Sequence, residues 1–559
     1  MKSKILALIV ALMLSISSLG VFTSCAVEES GDYDPYKANL AVATYNGGVG
    51  REWLDAAIQR FEQKYENATH FEEGKKGVNI SLDADKIPYS GTNLADSTLS
   101  KDVYLTEGIE YYTMVNKGKV ADITDVVTQR TLDAYGEAGV KIESKLDSSF
   151  TSYLTAQDGK YYMLPFYDGL YGFIYDVELF EEKGFYFKEN GSYTRPLTDD
   201  ATEADREALK AEKSAGPNGK KGDYDDGLPK TYAQFMQLIQ RIKQKSCIPF
   251  CYAGGDQDYF DKACRAFIAD YEGYDNLKMN YTFSGTATTL VKEVKADGTV
   301  VFDDPTPINA KNAYELKRQA GNYYALDMHE KLFKVDNVGG QWNGTSYTQA
   351  QKTFIASKYT DNPYAMLTEG VWWENEAAIG TGFSDMEILY GETREDRRFG
   401  FLPMPKVDDT KVGEGQTLLS ANSSFVFINK DCKNMELAKE FLLFLHTEAE
   451  MSKFTAKTGI TRSLNYKVDA NDEKTASNFA KSIIALRADS KVVYPYSSLS
   501  VVINNQSAFT EGMWYFTSLV NGRTLNWPSN AFKDDICDAK GFFFGLRDYQ
   551  ENAWKNLNW

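Results

Sequence analysis

The segment Thr368-Glu369-Gly370-Val371-Trp372-Trp373-Glu374-Asn375-Glu376 carries the most distinctive chemistry in the chain. Two adjacent indoles flanked by carboxylates are costly as ordinary core, because a strand sends neighbouring side chains to opposite faces. One ring is therefore expected to pack inward, while the other, beside Glu369 or Glu374, faces a cleft. Indole faces stack on the C–H faces of sugar rings, and carboxylates accept hydrogen bonds from vicinal hydroxyls. The plainer alternative is a pair of packing tryptophans.

Other chemistry-bearing patterns are weaker. The turn Gly47-Gly48-Val49-Gly50 stands between a strand-length run and a helical stripe. It is no dinucleotide fingerprint, because Trp53 occupies the sixth position, and it lacks the Gly-Lys-Ser/Thr of a phosphate loop. A turn at the carboxyl end of a parallel strand still borders a ligand crevice. Asp223-Tyr224-Asp225-Asp226-Gly227 is similar to a calcium loop but fails its register, so a solvated loop is expected. Acid pairs for glycosidase chemistry cannot be identified by spacing alone among 79 Asp and Glu. No Gly-x-Ser-x-Gly elbow exists, and the three histidines, His70, His329 and His446, are never four apart. No metal site and no cofactor is expected. Cys247, Cys251, Cys264, Cys432 and Cys537 are too sparse and odd in number for a disulfide framework.

These residues need elements to position them, and 559 residues allow several domains with sizeable cores. Hydrophobic residues at 43% and charged residues at 25% exclude wholesale disorder, collagen and coiled coil. The net charge of −18 argues against nucleic acid. With 36 Tyr, 32 Phe and 8 Trp, the chain fits a neutral ligand that wants flat apolar faces. Asn39–Tyr45 reads as a strand. Trp53, Leu54, Ala57, Ile58, Phe61 and Tyr65 then form one helical stripe. Val78–Leu82 and Asp102–Leu105 read as further strands, so the first part is β-loop-α-β-α-β, an α/β sheet. Farther on, the pattern predicts a helix over 177–183, a capped helix opening at Thr231 and a strand over 248–253. It also predicts a hairpin through Asp297-Gly298, short strands at 398–405 and 424–428, and a helix within 436–450.

Lys2 and Lys4 precede an unbroken apolar run, Ile5–Leu14, that as a helix spans about 15 Å, half of a ~30 Å bilayer core. A secretory signal over 1–24 is expected. Phe22-Thr23-Ser24-Cys25 resembles a bacterial lipobox, with Cys25 the acceptor of diacylglycerol and residues 25–35 a tether; Phe22 departs from the usual aliphatic residue.

The order of pieces resembles the lipoprotein substrate-binding proteins of bacterial carbohydrate ABC importers, family 1 of the extracellular solute-binding proteins. The resemblance rests on YNGGVGREWL (45–54), KDVYLTEG (101–108), KGKVADITD (117–125) and YYMLPFYDGLYGFIYDVELFEEKGFYF (161–187). It continues through GPNGKKGDYDDGLPKTYAQF (216–235), AMLTEGVWWENEA (365–377), RRFGFLPMP (397–405), ELAKEFLLFL (436–445) and TGITRSL (458–464). It implies a two-lobe α/β clamshell with hinge strands. Lobe one would take residues 36–165 and 404–460, and lobe two 166–403 and 461–559. It further implies an interlobe carbohydrate site, permease subunits as partners, a monomer on the outer face of the cell membrane, and no bond made or broken. The alternatives are a surface-anchored carbohydrate-active enzyme and a peptide or anion binder of the same plan. Expected ligand contacts are Asn46, Gly48 and Glu107 from lobe one, and Tyr167 and Asp168 from the hinge. Lobe two adds Tyr252, Glu369, Trp372 and Trp373. Arg462 is expected to clamp a carboxylate of the cleft or of an acidic sugar.

Overall fold

Alternation in Ala38–Tyr45 buries Ala38, Leu40 and Val42, and this run forms strand β1. The computed structural model describes residues 33–198, 200–256, 258–334, 338, 344–379, 382–421, 424–509 and 516–559. The expected signal peptide, Cys25 and the tether up to residue 32 lie outside the described residues. Helix α1 (Glu52–Lys64) buries Trp53, Leu54, Ala57, Ile58 and Phe61, the stripe its spacing predicts, with Glu52 and Asp55 favouring its N-terminal dipole end. Strand β2 (Val78–Asp85) runs parallel to β1 from Ala38↔Val78 to Tyr45↔Asp85, and β3 (Val103–Glu107) runs parallel on the other side.

After β4 (Leu164–Pro165) the chain passes through 166–170 into β5 (Tyr171–Asp176). The Asp176 carboxylate accepts from Leu179 N and caps α2 (Val177–Lys183), which ends at Gly184 in the left-handed region, φ 65°. Thr231 caps α3 (Tyr232–Gln244) through Gln234 N, but the Gln234 side chain reaches Lys230 N at 2.8 Å, so only half of a capping box forms. Strand β6 (Ile248–Cys251) follows, then α4 (Asp258–Thr282), broken at Gly273 with φ 71°. The hairpin expected at Gly298 joins Val291–Val294 to Val300–Phe302. Next come β7 (Tyr364–Gly370), α5 (Trp373–Ile379), β8 (Phe399–Leu402), β9 (Gln416–Leu419) and β10 (Ser424–Ile428). Helices α6 (Met435–Leu445), α7 (Glu448–Thr458) and α8 (Asn478–Ala488) lead to β11 (Ser490–Val493).

Two sheets result. The first has the order β2-β1-β3-β10-β4, and the second β8-β5-β7-β6. In the first sheet β10 runs antiparallel to β3, with Ser424 opposite Glu107. In the second, β7 is antiparallel to β5 and parallel to β6. Residues of β5, β8 and β10 are buried throughout, as in strands covered on both faces. Strands β9 and β11 form a separate parallel pair against α4.

One core packs α1, α6 and α7 on the first sheet, with Phe61, Phe441 and Phe454 at its heart. A second surrounds Phe235, Phe250 and Phe260, and a smaller one gathers Phe283, Phe509 and Trp554. The first core also reaches one face of the second sheet, at Ile174, Leu367 and Phe399, and the two sheets centre the two lobes. The chain's passages between them are tied together: Ala421 N donates to Gly169 O at 2.8 Å, and Asp168 N to Thr461 O at 2.8 Å. The carboxyl ends of β1, β3 and β7 all open on this junction, where ligand crevices form in α/β sheets.

Candidate functional site

The lobe-one wall starts where β1 ends. Gly50 N closes a tight turn on Gly47 O at 3.1 Å, and Gly50 takes φ 69°, so the chain turns at once into α1. Asn46 sits in this turn with its Oδ1 buried and lacking any donor. Beside it, β3 ends at Glu107. Burial pushes the Glu107 carboxyl up to about 7; the Tyr167 hydroxyl that hydrogen-bonds to it and the Lys86 charge act the other way, while Glu376 adds to the rise. The Tyr45 phenol is likewise pushed up to about 12 by burial, then by Glu107.

The lobe-two wall begins where β7 ends. Trp372 lies edge-to-face on Tyr171, ring centroids 4.8 Å apart and planes at 84°. Lys262 of α4 donates to the Tyr171 hydroxyl at 3.0 Å and stands 4.7 Å over its ring. Two glycines cover the indole. A Cβ on Gly48 would fall 2.3–2.5 Å from Trp372 Cβ, Cδ1 and Cγ, and one on Gly370 would fall 2.3–2.6 Å from Cη2, Cζ2 and Cε2. Gly48 belongs to lobe one, so the lobes touch at this ring, which is 7% exposed.

A polar chain reinforces that contact. Lys86, just after β2, pairs with Glu376 of α5 at 3.0 Å and donates to the Tyr347 hydroxyl at 3.1 Å. Gln351 Nε2 donates to the other Glu376 oxygen at 2.9 Å and to Glu369 Oε2 at 3.3 Å. Glu369 is therefore held within lobe two beside the cleft, its second oxygen taken by Gly370 N at 2.9 Å.

On the far side of Glu107 lies a cavity of about 260 Å³. Gly108 and Glu110 line it from lobe one, and Arg265 from α4, one helical turn from Lys262. Tyr496 and Tyr153 supply its aromatic faces, 4.8 Å apart and stacked, with Phe150 stacked on Tyr496 at 4.9 Å. Arg265, Tyr153 and Tyr496 were not expected from the sequence. The signal that could have pointed to Tyr496 is the Tyr494-Pro495-Tyr496-Ser497 tract, aromatics at a forced turn just after a strand-length run.

Four expected contacts have other partners. Trp373 is fully buried among Phe354, Phe383, Phe399 and Phe479, because helix α5 begins at this residue and strand alternation no longer applies. Tyr252 packs on Phe260 and Phe333 in the lobe-two core. Among the described residues Arg462 pairs with no carboxylate. Its guanidinium lies between Phe166 and Phe454, 5.2 and 5.3 Å from their centroids, with Nη2 3.2 Å from His446 Nε2. Burial there lowers its pKa to about 10. Asp168, also fully buried, accepts from Arg487 Nε at 3.1 Å and Thr461 Oγ1 at 2.9 Å, which makes it a brace of the hinge. Asn46, Gly48, Glu107, Tyr167, Glu369 and Trp372 do converge on the junction.

Two sheet-centred lobes with an aromatic, carboxylate-bearing cleft between them define the two-lobe class of solute receptors. Residues 51–452 match the sequence model of the bacterial extracellular solute-binding proteins, and the chain belongs to that family. No curated protein matches it in sequence. Among solved structures it is similar to the GacH receptor of Streptomyces glaucescens, at 11% identity and a TM-score of 0.53, with 93% of this chain and 100% of that one covered. It is also similar to the cyclic alpha-maltosyl-1,6-maltose binding protein of Arthrobacter globiformis, at 12% identity, TM-score 0.51 and coverage of 93% and 100%. RafE of Streptococcus pneumoniae, in its apo form, gives 13% identity, TM-score 0.51 and coverage of 94% and 100%. These likenesses establish the fold. No helix among the described residues is long and apolar enough to cross a membrane.

Proposed function

We propose that this protein binds an oligosaccharide in the interlobe cleft and hands it to the permease subunits of an ABC importer. The observation that carries the reading is the pairing of two aromatic groups across one cleft. Trp372 and Tyr171 form one group, and Tyr153 and Tyr496 the other, in the cavity that opens at Gly108 beside the acceptor Glu107. Separate platforms with a carboxylate beside them suit a ligand of more than one ring, stacked by its C–H faces and held by its hydroxyls. The GacH receptor was solved with acarbose and RafE with raffinose, which favours the same class of ligand here.

Binding draws the lobes together, because the closed state gains contacts from both walls and the ligand shifts the population toward it. Asn46 and Glu107 present acceptors from lobe one, and Trp372 presents its ring from lobe two. No bond is made or broken. The lobes take residues 36–165 with 404–460 and 166–403 with 461–559, and the protein acts as a monomer. Residues 1–24 direct export, Cys25 carries the lipid, and 25–35 tether the lobes to the outer face of the cell membrane.

Titration calorimetry against raffinose-type, malto- and chito-oligosaccharides, with chromatography of the mixtures afterwards, tests this reading. Stoichiometric binding of at least one series with the sugar recovered intact is expected. Cleaved sugar would establish an enzyme instead, and binding of peptides with no response to any sugar would move the cleft to another ligand class.

A further inference from the structure

The loop 216–227 lies outside the cleft, and it does not match the solvated loop expected from its sequence. Asp225 is fully buried. Gly216 allows this: a Cβ there would stand 2.1 Å from Asp225 O and 2.6 Å from Asp225 Cγ, so the carboxyl tucks beneath bare backbone. One ligand oxygen each from Asp223, Asp225 and Asp226 lies within 4.8 Å of the others.

The loop's own donors satisfy only part of this cluster. Asn218 N donates to Asp225 Oδ2 at 2.9 Å, Asn218 Nδ2 to Asp223 Oδ2 at 2.8 Å, and Gly222 N to Asp226 Oδ2 at 2.8 Å. Asp225 N stands 3.5 Å from Asp223 Oδ1. Asp225 Oδ1 and Asp226 Oδ1 are buried and have no donor at all. No lysine or arginine nitrogen among the described residues comes within 4.0 Å of the three carboxylates. The neighbouring Lys220 pairs with Asp489 at 2.6 Å, Lys221 donates to Ala211 O at 3.0 Å, and Lys213 lies over the Tyr186 ring at 3.4 Å. An unpaired buried carboxylate is among the costliest groups in a protein interior, and two side by side repel.

We propose that Asp223, Asp225 and Asp226 bind a calcium ion. Three carboxylates with no nitrogen or sulfur ligand are hard donors, and solvent reaches the cluster through exposed Asp223, so water completes the six to eight oxygens that calcium takes. Magnesium demands near-ideal octahedral geometry and is the poorer fit. The ion has a structural consequence. Gly413 N donates to Pro217 O at 3.0 Å, and Lys220 reaches Asp489, so the loop grips the segments that lead into β9 and β11. Those strands continue directly into the 420–421 passage and the Tyr496 wall of the cleft. The bound ion therefore braces the β9–β11 pair where it meets the hinge.

The test uses the full chain, freed of metal with a chelator. Terbium is the first probe, since Tyr224 lies between two of the ligands and its phenol sensitises a lanthanide bound there. Excitation of tyrosine should give terbium emission that calcium displaces, and millimolar calcium should raise the melting temperature by several degrees, magnesium less. Asp225→Asn should abolish both responses; because it removes a buried charge, its metal-free melting temperature should equal or exceed that of the parent. Asp223→Asn, at an exposed position, should weaken terbium at least tenfold while leaving the metal-free fold intact. A folded parent that gives no terbium emission and no calcium-dependent melting shift would overturn the proposal, as would responses that survive unchanged in both variants.

Discussion

Glu107 holds a carboxyl in a place where its charge is disfavoured, and that has a consequence for the empty receptor. Its folded pKa of about 7 stands above the ordinary carboxylate value. The folded state then binds more protons than the unfolded one between those values, so the contribution is full at low pH and is lost as pH rises toward 7. Ligand-free Glu107→Gln should show a flatter stability between about pH 4.5 and 7 than the parent does, measured by denaturant unfolding across that range. It should also bind sugar less tightly at pH 8, where the parent presents a full acceptor. A parallel pH profile in both proteins would remove Glu107 from the account. The neighbouring tryptophans separate the two roles that a large ring can play. Trp372→Ala should weaken sugar binding by ~1–3 kcal/mol, roughly tenfold to a hundredfold, with a smaller effect on the unliganded fold. Trp373→Ala should cost about 3–5 kcal/mol of stability, because it empties a site walled by four phenylalanine rings. If the two variants reverse these effects, Trp372 is the packing residue. The residue types alone allowed either ring to pack inward, and the family resemblance pointed to Trp372 as the stacking ring. That choice depends on the start of α5 at Trp373, one residue after the turn, which side-chain types alone do not reveal.

At the scale of elements, local pattern carried most of the information. The Trp53-to-Phe61 stripe, the Val78 alternation and the helix over 177–183 were readable because each depends on neighbours along the chain. The β9–β11 pair was not, because Gln416 and Ser490 are joined only by the fold. With it was lost the Tyr496 wall of the cleft. Arg462 was hard to read for a related reason: a lone arginine in a crossing gives no sign that it lies between two phenylalanine rings. The turn after β1 permits a sharper test. Gly48 is required less by its own backbone than by Trp372 across the junction, since a Cβ there would stand 2.3 Å from the indole Cβ. Gly48→Ala should therefore fold normally with its lobes apart yet be unable to close as the parent does. Its melting temperature without sugar should stay within about 2 °C, and its sugar affinity should fall at least tenfold. Unchanged affinity would mean that the ligated lobes do not meet at this ring.

For the whole molecule, the contact between lobes is a balance between small terms, and Lys86–Glu376 is one of them. Its lysine is 41% exposed and its glutamate 13%, so the pair contributes roughly 0.2–1 kcal/mol in favour of the closed arrangement, less at high salt. The family resemblance already implied two bodies and a hinge; the particular groups that meet across the gap became visible only with both sheets in place, since Lys86 and Glu376 are far apart along the chain. If closure follows ligand, saturating sugar should shrink the radius of gyration in solution scattering, and sugar should raise the melting temperature by mass action. Lys86→Ala should retain the shrinkage at saturation but require up to about fivefold more sugar to reach it, because removing up to ~1 kcal/mol from the closed state lowers apparent affinity by that factor. Gly48→Ala, by contrast, should keep the larger radius at any sugar concentration. The two variants thus distinguish a shifted equilibrium from a blocked one. Scattering curves that superimpose with and without a confirmed, tightly bound sugar in the parent would remove lobe closure from the mechanism while leaving carbohydrate binding in place.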